Sequence, residues 1–429
     1  MCKGGSKDDL SYGLRSQAIQ MNFFTLAELL LSVTAIVLLG PALVFATQCL
    51  LGSLPWRHRQ PPQPQNRPRL AVLIPAHDES AGIACTIHNL LPQLATGDRL
   101  VVIADNCSDD TAAVARQAAL ATATTAEVLV LERQDPEQRG KGYALAFGRK
   151  ALTRDPPDVV VFVDADCRVT SGTVADLAAW AHETGRPIQA DYLLSTPQQA
   201  TGLGTIGALA ILVRNRVRPR GMARLGLPCQ LTGSGMAMPW PLTSFADRLG
   251  ANIVEDLVLG LELSLGGHSS MACPEVRVAS ELPTADRDAS RQRRRWEHGQ
   301  MATVLSYAPK LVARGIVTMK PSLVALALDI AVPPLALLVV LLAGVSVGAT
   351  AMAVGGHAGL SLYLALAGLG LVAIGVLVSW FAHARRIIPL RQLLAVPLYV
   401  LWKIPLYWGF LRKREQAWKR TRREGDEAP

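Results

Sequence analysis

The stretch VVVFVDADCRV, residues 159–169, joins five consecutive apolar residues to two aspartates separated by one alanine. The apolar run is typical of a buried strand in a parallel sheet. Side chains alternate along a strand, so Asp164 and Asp166 are expected on one face at the strand's carboxyl end. Two carboxylates in that position suit Mg²⁺ or Mn²⁺, and such an ion suits a diphosphate. From this stretch alone, a helix cap followed by a loop carboxylate is an open alternative.

Apolar, β-branched runs of the same kind precede this stretch and alternate with alanine-rich segments of helical spacing. Strands are predicted at residues 70–74, 99–104, 126–132 and 158–164, and helices at 109–120 and 141–153. This alternation predicts an α/β domain with a mainly parallel sheet. Ligands of such sheets bind beyond the carboxyl ends of the strands, which is where polar residues collect in this chain.

Three apolar segments are expected to cross a bilayer. Leu29–Leu51 holds 23 residues without a charge. Residues 330–384 contain no Lys, Arg, Asp or Glu, and their length suits two spans joined near residues 355–359. Residues 389–411 combine three prolines, a central lysine and several aromatic residues, which favours an interfacial segment over a fourth span.

Basic residues follow the first and the third predicted span, at Arg57, Arg59, Arg385 and Arg386. The positive-inside bias therefore predicts that the α/β domain lies on the cytoplasmic side. The predicted organisation is a tail with the first span (1–52), a Pro-rich linker (53–69), the α/β domain (70–315), two further spans (316–384) and an interfacial segment with a basic tail (385–429).

Composition narrows the class of protein further. The net charge of +9 comes from basic clusters beside the apolar segments, which indicates contact with membrane lipids. Aromatic residues make up only 5% of the chain and are not interleaved with basic ones, so binding to nucleic acid is not expected. The seven cysteines form no C-x-x-C pair, which argues against a disulfide framework and against a zinc site.

Polar residues that suit a nucleotide follow the first two predicted strands, in IPAHDES and IADNCSDDT. Glu79 can accept hydrogen bonds from ribose hydroxyls, and Asp105 can accept one from a base N–H. A helix N-terminal acid and an Asx turn explain these residues equally well. In QRGKGYAL (138–145), Lys141 and backbone N–H groups at a helix start would attract a phosphate or a uracil carbonyl, although this turn is weakly specific.

The stretch ANIVEDLVLGLEL (251–263) places Glu255 and Asp256 before an apolar helical repeat. Acids at this position are common helix caps. A partly desolvated carboxylate in a cleft can also take a proton from an attacking sugar hydroxyl. Of the two acids, Asp256 is the candidate general base.

RQRRRWEHGQ, residues 291–300, is the most informative stretch. At helical spacing, Gln292, Arg295 and Trp296 fall on neighbouring faces. Arginine can clamp a phosphate with two N–H groups, glutamine can donate to it, and tryptophan offers a flat face to a sugar ring. Attraction of the arginine run to a membrane surface and packing of the tryptophan in the core are alternatives that stay open.

Together these stretches resemble a membrane-bound family 2 glycosyltransferase of the processive polysaccharide-synthase type, the group of cellulose, chitin, hyaluronan and poly-N-acetylglucosamine synthases. The resemblance covers residues 68–310 and rests on PAHDES, DNCSDDT, GKG, DAD, VED and QRRRW in the family's order. It implies a GT-A type fold with a mixed, mainly parallel sheet, an inverting displacement, a UDP-sugar donor and Mg²⁺ or Mn²⁺. Asp78 and Asn106 depart from the family's pattern, which has Asn and Asp at these positions.

The resemblance also implies roles for individual residues. Glu79, Asp105 and Lys141 would hold the uridine part of the donor. Asp164 and Asp166 would hold the diphosphate and the metal, and Gln292 and Arg295 would hold the leaving UDP. Asp256 would be the base, and Glu255 and Trp296 would place the acceptor. The implied acceptor is a growing exopolysaccharide at the inner membrane. Three spans are few for a polymer channel. The open alternatives are therefore an oligomer, an exporter, accessory subunits, or a lipid acceptor as in ceramide glucosyltransferase-like enzymes.

Overall fold

A computed structural model describes residues 7–195, 202–250, 252, 254–281, 286–357 and 359–412, with the backbone alone at 7–23, 195, 202–203, 281, 286–293, 295 and 410–412. The described strands are β1 (Leu70–Ala76), β2 (Arg99–Asp105), β3 (Glu127–Arg133), β4 (Val159–Phe162), β5 (Cys167–Val169), β6 (Ile188–Ser195), β7 (Met236–Pro239) and β8 (Met271–Glu281). The described α-helices are α1 (Lys7–Ser53), α2 (Ile83–Leu90), α3 (Thr111–Ala121), α4 (Lys141–Ala151), α5 (Thr173–Thr184), α6 (Gly202–Leu212), α7 (Arg218–Arg224), α8 (Glu255–Leu265), α9 (Asp286–Val317), α10 (Pro321–Ala331), α11 (Leu335–Val354), α12 (Leu360–His383), α13 (Leu390–Leu393) and α14 (Val396–Arg412).

One mixed sheet lies at the centre of the described part of the chain, with strand order β3-β2-β1-β4-β7-β6-β8-β5. β1 pairs in parallel with β2 and β4, with Ile74 opposite Val102 and Val72 opposite Val161. β7 runs antiparallel to β4 and β6, and β5 runs antiparallel to β8. The predicted α/β architecture is confirmed, and the four predicted strands end within two residues of the observed limits.

Apolar residues on both faces of β1 explain why helices cover the sheet on two sides. Val72 and Ile74 belong to one core with residues of α2, α3 and α5. Ala71 and Leu73 belong to a second core that extends through α4 and α8 to Leu311 of α9 and to α10. Each fully buried aliphatic side chain stabilises the folded state by about 1.5–3 kcal/mol. The two cores contain many such side chains, so they hold the strand ends that carry the polar residues in a rigid scaffold.

Three described helical segments are long and apolar enough to cross a membrane: Phe24–Ser53, Leu335–Val354 and Leu360–His383. They pack together in a third core. Helix α14, in the predicted interfacial segment, is not among the three and lies against α6 and α11. Its central Lys403 is 1% exposed and pairs with Glu297. This lysine was one reason to predict an interfacial segment, but its side chain is buried inside the protein.

Helix α1 lies directly against α7. A Cβ at Gly221 would be only 2.2 Å from the carbonyl oxygen of Gln48, so the close approach requires glycine. The approach builds a buried polar network, in which Arg218 Nη2 lies 2.7 Å from Asp329 Oδ1. Gln48 Nε2 donates to the same oxygen at 2.8 Å, and Gln230 Nε2 donates to Oδ2 at 2.8 Å. The network connects the apolar helix α1 to α7 and to α10.

Replacing Asp329 with alanine is expected to lower the free energy of unfolding by about 3–5 kcal/mol, because Arg218 would keep a buried charge without its partner. Thermal unfolding of the detergent-purified chain measures the loss. Asp155, whose side chain is 64% exposed and pairs with Arg69, is the control, and its replacement by alanine should cost less than about 1 kcal/mol. Equal losses in the two variants would contradict the role given to the network.

Candidate active site

The carboxyl ends of β1, β2 and β4 open onto a cavity of about 230 Å³. Its lining contains eight of the predicted site residues: Glu79, Asp105, Lys141, Asp164, Asp166, Glu255, Asp256 and Trp296. The backbone of Gln292 and Arg295 lies in α9 with Trp296, but their side chains lie outside the described part of the structure. The fold therefore brings these eight predicted residues to one place.

Asp164 and Asp166 lie in the turn after β4 and not on the strand. Because β4 ends at Phe162, strand alternation does not place the two carboxylates, and the expectation of a shared strand face is wrong. The turn itself brings ligand oxygens of the two residues within 4.8 Å of each other. The N–H of Asp164 donates to Ser234 Oγ at 3.0 Å, and Ser280 Oγ donates to Asp166 Oδ2 at 2.5 Å, so both ends of the turn are held.

The two carboxylates have the chemistry of a Mg²⁺ or Mn²⁺ site, because these ions prefer hard oxygen donors. Cys167 Sγ lies within the same 4.8 Å. Its thiol accepts a hydrogen bond from Ser234 Oγ at 3.1 Å, and burial raises the thiol's pKa well above its ordinary value. A protonated, soft thiol is a poor ligand for either ion, so the fitting donors are Asp164 and Asp166.

Lys141 lies at the centre of the acidic residues. It begins α4 directly after Gly140, whose φ of 136° favours glycine, as the Gly-Lys-Gly pattern predicted. Its Nζ is 2.5 Å from Asp164 Oδ1 and 3.8 Å from Glu255 Oε1, and it donates to Gly233 O at 2.9 Å. Burial disfavours the ammonium, but the charges of Asp164 and Glu255 outweigh burial and raise the pKa of Lys141. The ammonium thus faces carboxylates, and its predicted contact with uridine stays a prediction.

Glu255 and Asp256 form the first turn of α8. Burial raises the pKa of Glu255 to about 7; Lys141 opposes this rise and Asp256 adds to it. Asp256 Oδ1 accepts a hydrogen bond from its neighbour Leu257 N–H at 2.8 Å. Asp256 Oδ2 lies beside Gly233, since a Cβ at that glycine would be 3.1 Å from this oxygen. Asp256 is one of the residues that line the cavity.

Neighbours that the sequence did not single out fix Asp105 and Glu79. Arg133 Nη1 lies 2.6 Å from Asp105 Oδ1, and His77 Nδ1 lies 2.7 Å from Asp105 O. The N–H of Glu79 donates to Thr111 Oγ1 at 2.7 Å. A sequence signal for Arg133 existed, because it directly follows the predicted strand 126–132, as Asp105 follows the predicted strand 99–104. The structure sets the two residues opposite each other in the parallel register. A nucleoside base would meet an aspartate that already pairs with arginine.

A second, larger cavity of about 530 Å³ adjoins the first among the apolar helices. Its lining comes mainly from α1, α6, α11, α12 and α14, with a contribution from α9, and is mainly apolar, with Phe45, Leu209, Val339, Val372 and Val400 among its residues. Ile211, Arg214 and Trp296 line both cavities. The polar space at the strand ends and the apolar space among the helices therefore meet at these three residues.

Sequence analysis did not single out α6 or the segment that follows it. The stretch ILVRNRVRPR (211–220) runs from apolar residues into four arginines at alternate positions. An apolar helix that ends in such a series was a signal for a junction between an apolar and a polar space. The structure places the first of these arginines, Arg214, between the two cavities.

Comparisons with known proteins can be set beside this geometry. Residues 68–299, more than half of the chain, match the family described as glycosyltransferase like family 2. The mannosyltransferase PcManGT from Pyrobaculum calidifontis, solved in complex with GDP-Man and Mn²⁺, is similar over 90% of this chain and 100% of its own, at 19% identity and a TM-score of 0.52. Glucosyl-3-phosphoglycerate synthase from Mycobacterium tuberculosis, in complex with Mn²⁺, uridine diphosphate and phosphoglyceric acid, is similar over 54% and 78% of the two chains, at 20% identity and a TM-score of 0.35. Comparison with curated proteins finds no match.

The similarity to PcManGT, at this low identity, concerns the fold alone, and it confirms the GT-A-like α/β architecture with a mixed sheet. The narrower resemblance to processive polysaccharide synthases is not tested by these comparisons and stays a prediction. The family match covers the segment that carries the candidate active site, from before β1 into α9. The chain belongs to glycosyltransferase like family 2.

Proposed function

We propose that this chain transfers a sugar from a UDP-sugar to a hydroxyl group of a membrane lipid, with inversion at the sugar's anomeric carbon. The observation that carries the proposal is the meeting of a polar and an apolar cavity at Ile211, Arg214 and Trp296. A nucleotide-sugar needs the first environment and a lipid tail needs the second. The basic residues after the apolar spans support a cytoplasmic location for the catalytic domain at the inner membrane.

A lipid suits the larger cavity better than a sugar polymer does. Its lining consists mainly of Leu, Val, Ile, Ala and Pro side chains, which offer few hydrogen bonds to sugar hydroxyls. Burial of a lipid tail against such walls is worth about 0.8 kcal/mol for each CH₂ group. The exopolysaccharide acceptor, the exporter, the accessory subunits and the homo-oligomer stay untested predictions. Product length separates the two acceptors, since a lipid gives one glycolipid band and a polymer gives a ladder.

The donor half of the proposal uses the polar cavity. The proposed roles are nucleoside binding by Glu79 and Asp105, cation binding by Asp164 and Asp166, and binding of the departing diphosphate by Gln292 and Arg295. When bound, Mg²⁺ or Mn²⁺ offsets the negative charge of the diphosphate. Lys141 supports this arrangement, because its ammonium reduces the repulsion between Asp164 and Glu255.

The transfer half of the proposal uses the first turn of α8 and one residue of α9. Asp256 takes the proton of the acceptor hydroxyl as the hydroxyl oxygen attacks the anomeric carbon. The bond from that carbon to the diphosphate breaks, and the nucleoside diphosphate leaves with the electron pair. Trp296 lines both cavities, which supports its proposed role in orienting the acceptor's head group, and Glu255 lies next to the base in the chain.

Removal of the metal is the first test of the donor half. With UDP-glucose, UDP-N-acetylglucosamine or GDP-mannose and Mn²⁺ or Mg²⁺, we expect one donor to release its nucleoside diphosphate, and EDTA to abolish the release. Asp166→Ala should lower kcat at least 100-fold, because one of two hard oxygen donors is lost. Asp155→Ala, an exposed acid, is the matched control and should keep full activity. Undiminished release by Asp166→Ala or in EDTA would refute the metal assignment.

The base assignment is tested by Asp256→Asn, which keeps the size of the side chain but cannot take a proton. We expect kcat to fall by about 10²–10⁴-fold, the usual contribution of general base catalysis. Binding of the donor, measured by titration calorimetry with Mn²⁺, should stay within about twofold of the original chain, because the base acts on the acceptor. A variant with normal turnover would show that Asp256 is not the base.

The lipid cavity is tested by a side chain that fills it. Ala210 on α6 lines the cavity, and Ala210→Phe should raise the KM for a lipid acceptor at least tenfold, while slow release of UDP to water is unchanged. Ala208→Phe on the same helix is the control, since Ala208 is outside the lining and the same bulk is added there. If both variants bind the acceptor equally well, the apolar cavity is not the lipid site.

A further inference from the structure

Four arginines alternate along one segment, and three of them have carboxylate partners. Arg216 Nε and Arg220 Nη2 lie 3.2 Å and 2.9 Å from Asp191 Oδ2. Arg218 pairs with Asp329 in the buried polar network near the carboxyl end of α1. Among the residues that the structure describes, the guanidinium of Arg214 has no ion pair and no hydrogen bond, which distinguishes it from its three neighbours.

Arg214 also carries the unbalanced charge of the apolar cavity. The other charged residues of that lining are Arg218, which has Asp329, and the pair formed by Glu297 and Lys403. Burial lowers the pKa of Arg214, and Asp256 and Glu297 oppose that fall from beyond ion-pair distance. A partly buried cation without a partner is costly unless a ligand supplies the missing anion.

The backbone at Arg214 is unusual as well. Residues Val213–Val217 form a π-helical turn between α6 and α7. Single π-helical turns inside α-helices are rare and occur frequently at functional sites. The wider turn lies where Ile211 and Arg214 border both cavities. Two independent observations, an unpaired cation and an irregular turn, thus coincide at the junction.

We infer that the acceptor is an anionic lipid, whose phosphodiester binds Arg214 and whose hydroxyl-bearing head group reaches Asp256. This inference rests on the proposed function. The tails lie in the apolar cavity, the phosphate lies at the junction, and the head group enters the polar cavity. The head-group oxygen forms the new bond to the anomeric carbon, Asp256 takes its proton, and the nucleoside diphosphate leaves with the electron pair. Arginine suits the phosphate because it can donate two parallel N–H groups to it.

The test compares two probes that share acyl chains and hydroxyl groups but differ in charge: dioleoyl phosphatidylinositol and glucosyl dioleoylglycerol. We expect Arg214→Gln to raise the KM for the phosphoinositide at least tenfold and the KM for the neutral glycolipid less than twofold. Native mass spectrometry of the detergent-purified chain should show the same selective loss of bound phosphoinositide. Arg386→Gln, at an exposed position after α12, is the control for general attraction of anionic lipid and should change neither value.

Three results would overturn the inference. Equal effects of Arg214→Gln on both lipids would show that its charge does not recognise the head group. Weaker binding of UDP with Mn²⁺, and unchanged binding of lipid, would assign the guanidinium to the donor diphosphate. An equal loss in Arg386→Gln would reduce the effect to surface attraction. If no lipid accepts sugar, the proposed function fails, and the binding measurement still decides whether Arg214 selects the anionic lipid.

Discussion

The buried pair of Arg218 and Asp329 joins the apolar helix α1 to the part of the chain that carries the candidate active site. Two buried charges stabilise a structure only when their geometry is good and their remaining hydrogen bonds are made. Both conditions hold, because Gln48 donates to one carboxylate oxygen of Asp329 and Gln230 to the other. The pair fixes α7 against α1 and α10, and with α7 it fixes the preceding turn. The meeting of the two cavities therefore depends on this pair.

The charge of the polar cavity follows from a similar balance. Asp164, Asp166, Glu255 and Asp256 line the same cavity, and Lys141 is the ammonium among them. Burial raises the pKa of Asp164, and Asp166 adds to the rise, while Lys141 opposes it. Carboxylates thus exceed cations around Lys141, and a diphosphate would be repelled unless a cation entered with it. This excess of carboxylates is a physical argument for the proposed metal dependence, and it does not rest on any comparison with other proteins.

Features that depend on local sequence were predictable, whereas features that depend on pairing across the fold were not. Buried parallel strands are continuous apolar runs, so their positions followed from the sequence, and Gly140 marked the start of α4. Asp164 and Asp166 were expected on one strand face, but a turn and not a strand brings them together, and their role as metal ligands stays a prediction. Lys403 pairs with Glu297, which lies 106 positions away, and nothing local indicates that partner. The same applies to Arg216, Arg218 and Arg220, since their carboxylate partners lie on other elements.

The proposed reaction between a water-soluble donor and a lipid acceptor would need a place where a polar and an apolar space meet. One short segment lies at such a place, in which α6 is apolar and the following turn carries the arginine series. The spacing of the arginines at every second position matters, because it lets them contact two different carboxylates. Arg216 and Arg220 both pair with Asp191, while Arg218 pairs with Asp329. These contacts use every carboxylate that the described structure places within ion-pair distance of the segment, and Arg214 remains at the cavity boundary. The same contacts that anchor the segment therefore leave one cation facing the space where donor and acceptor would meet.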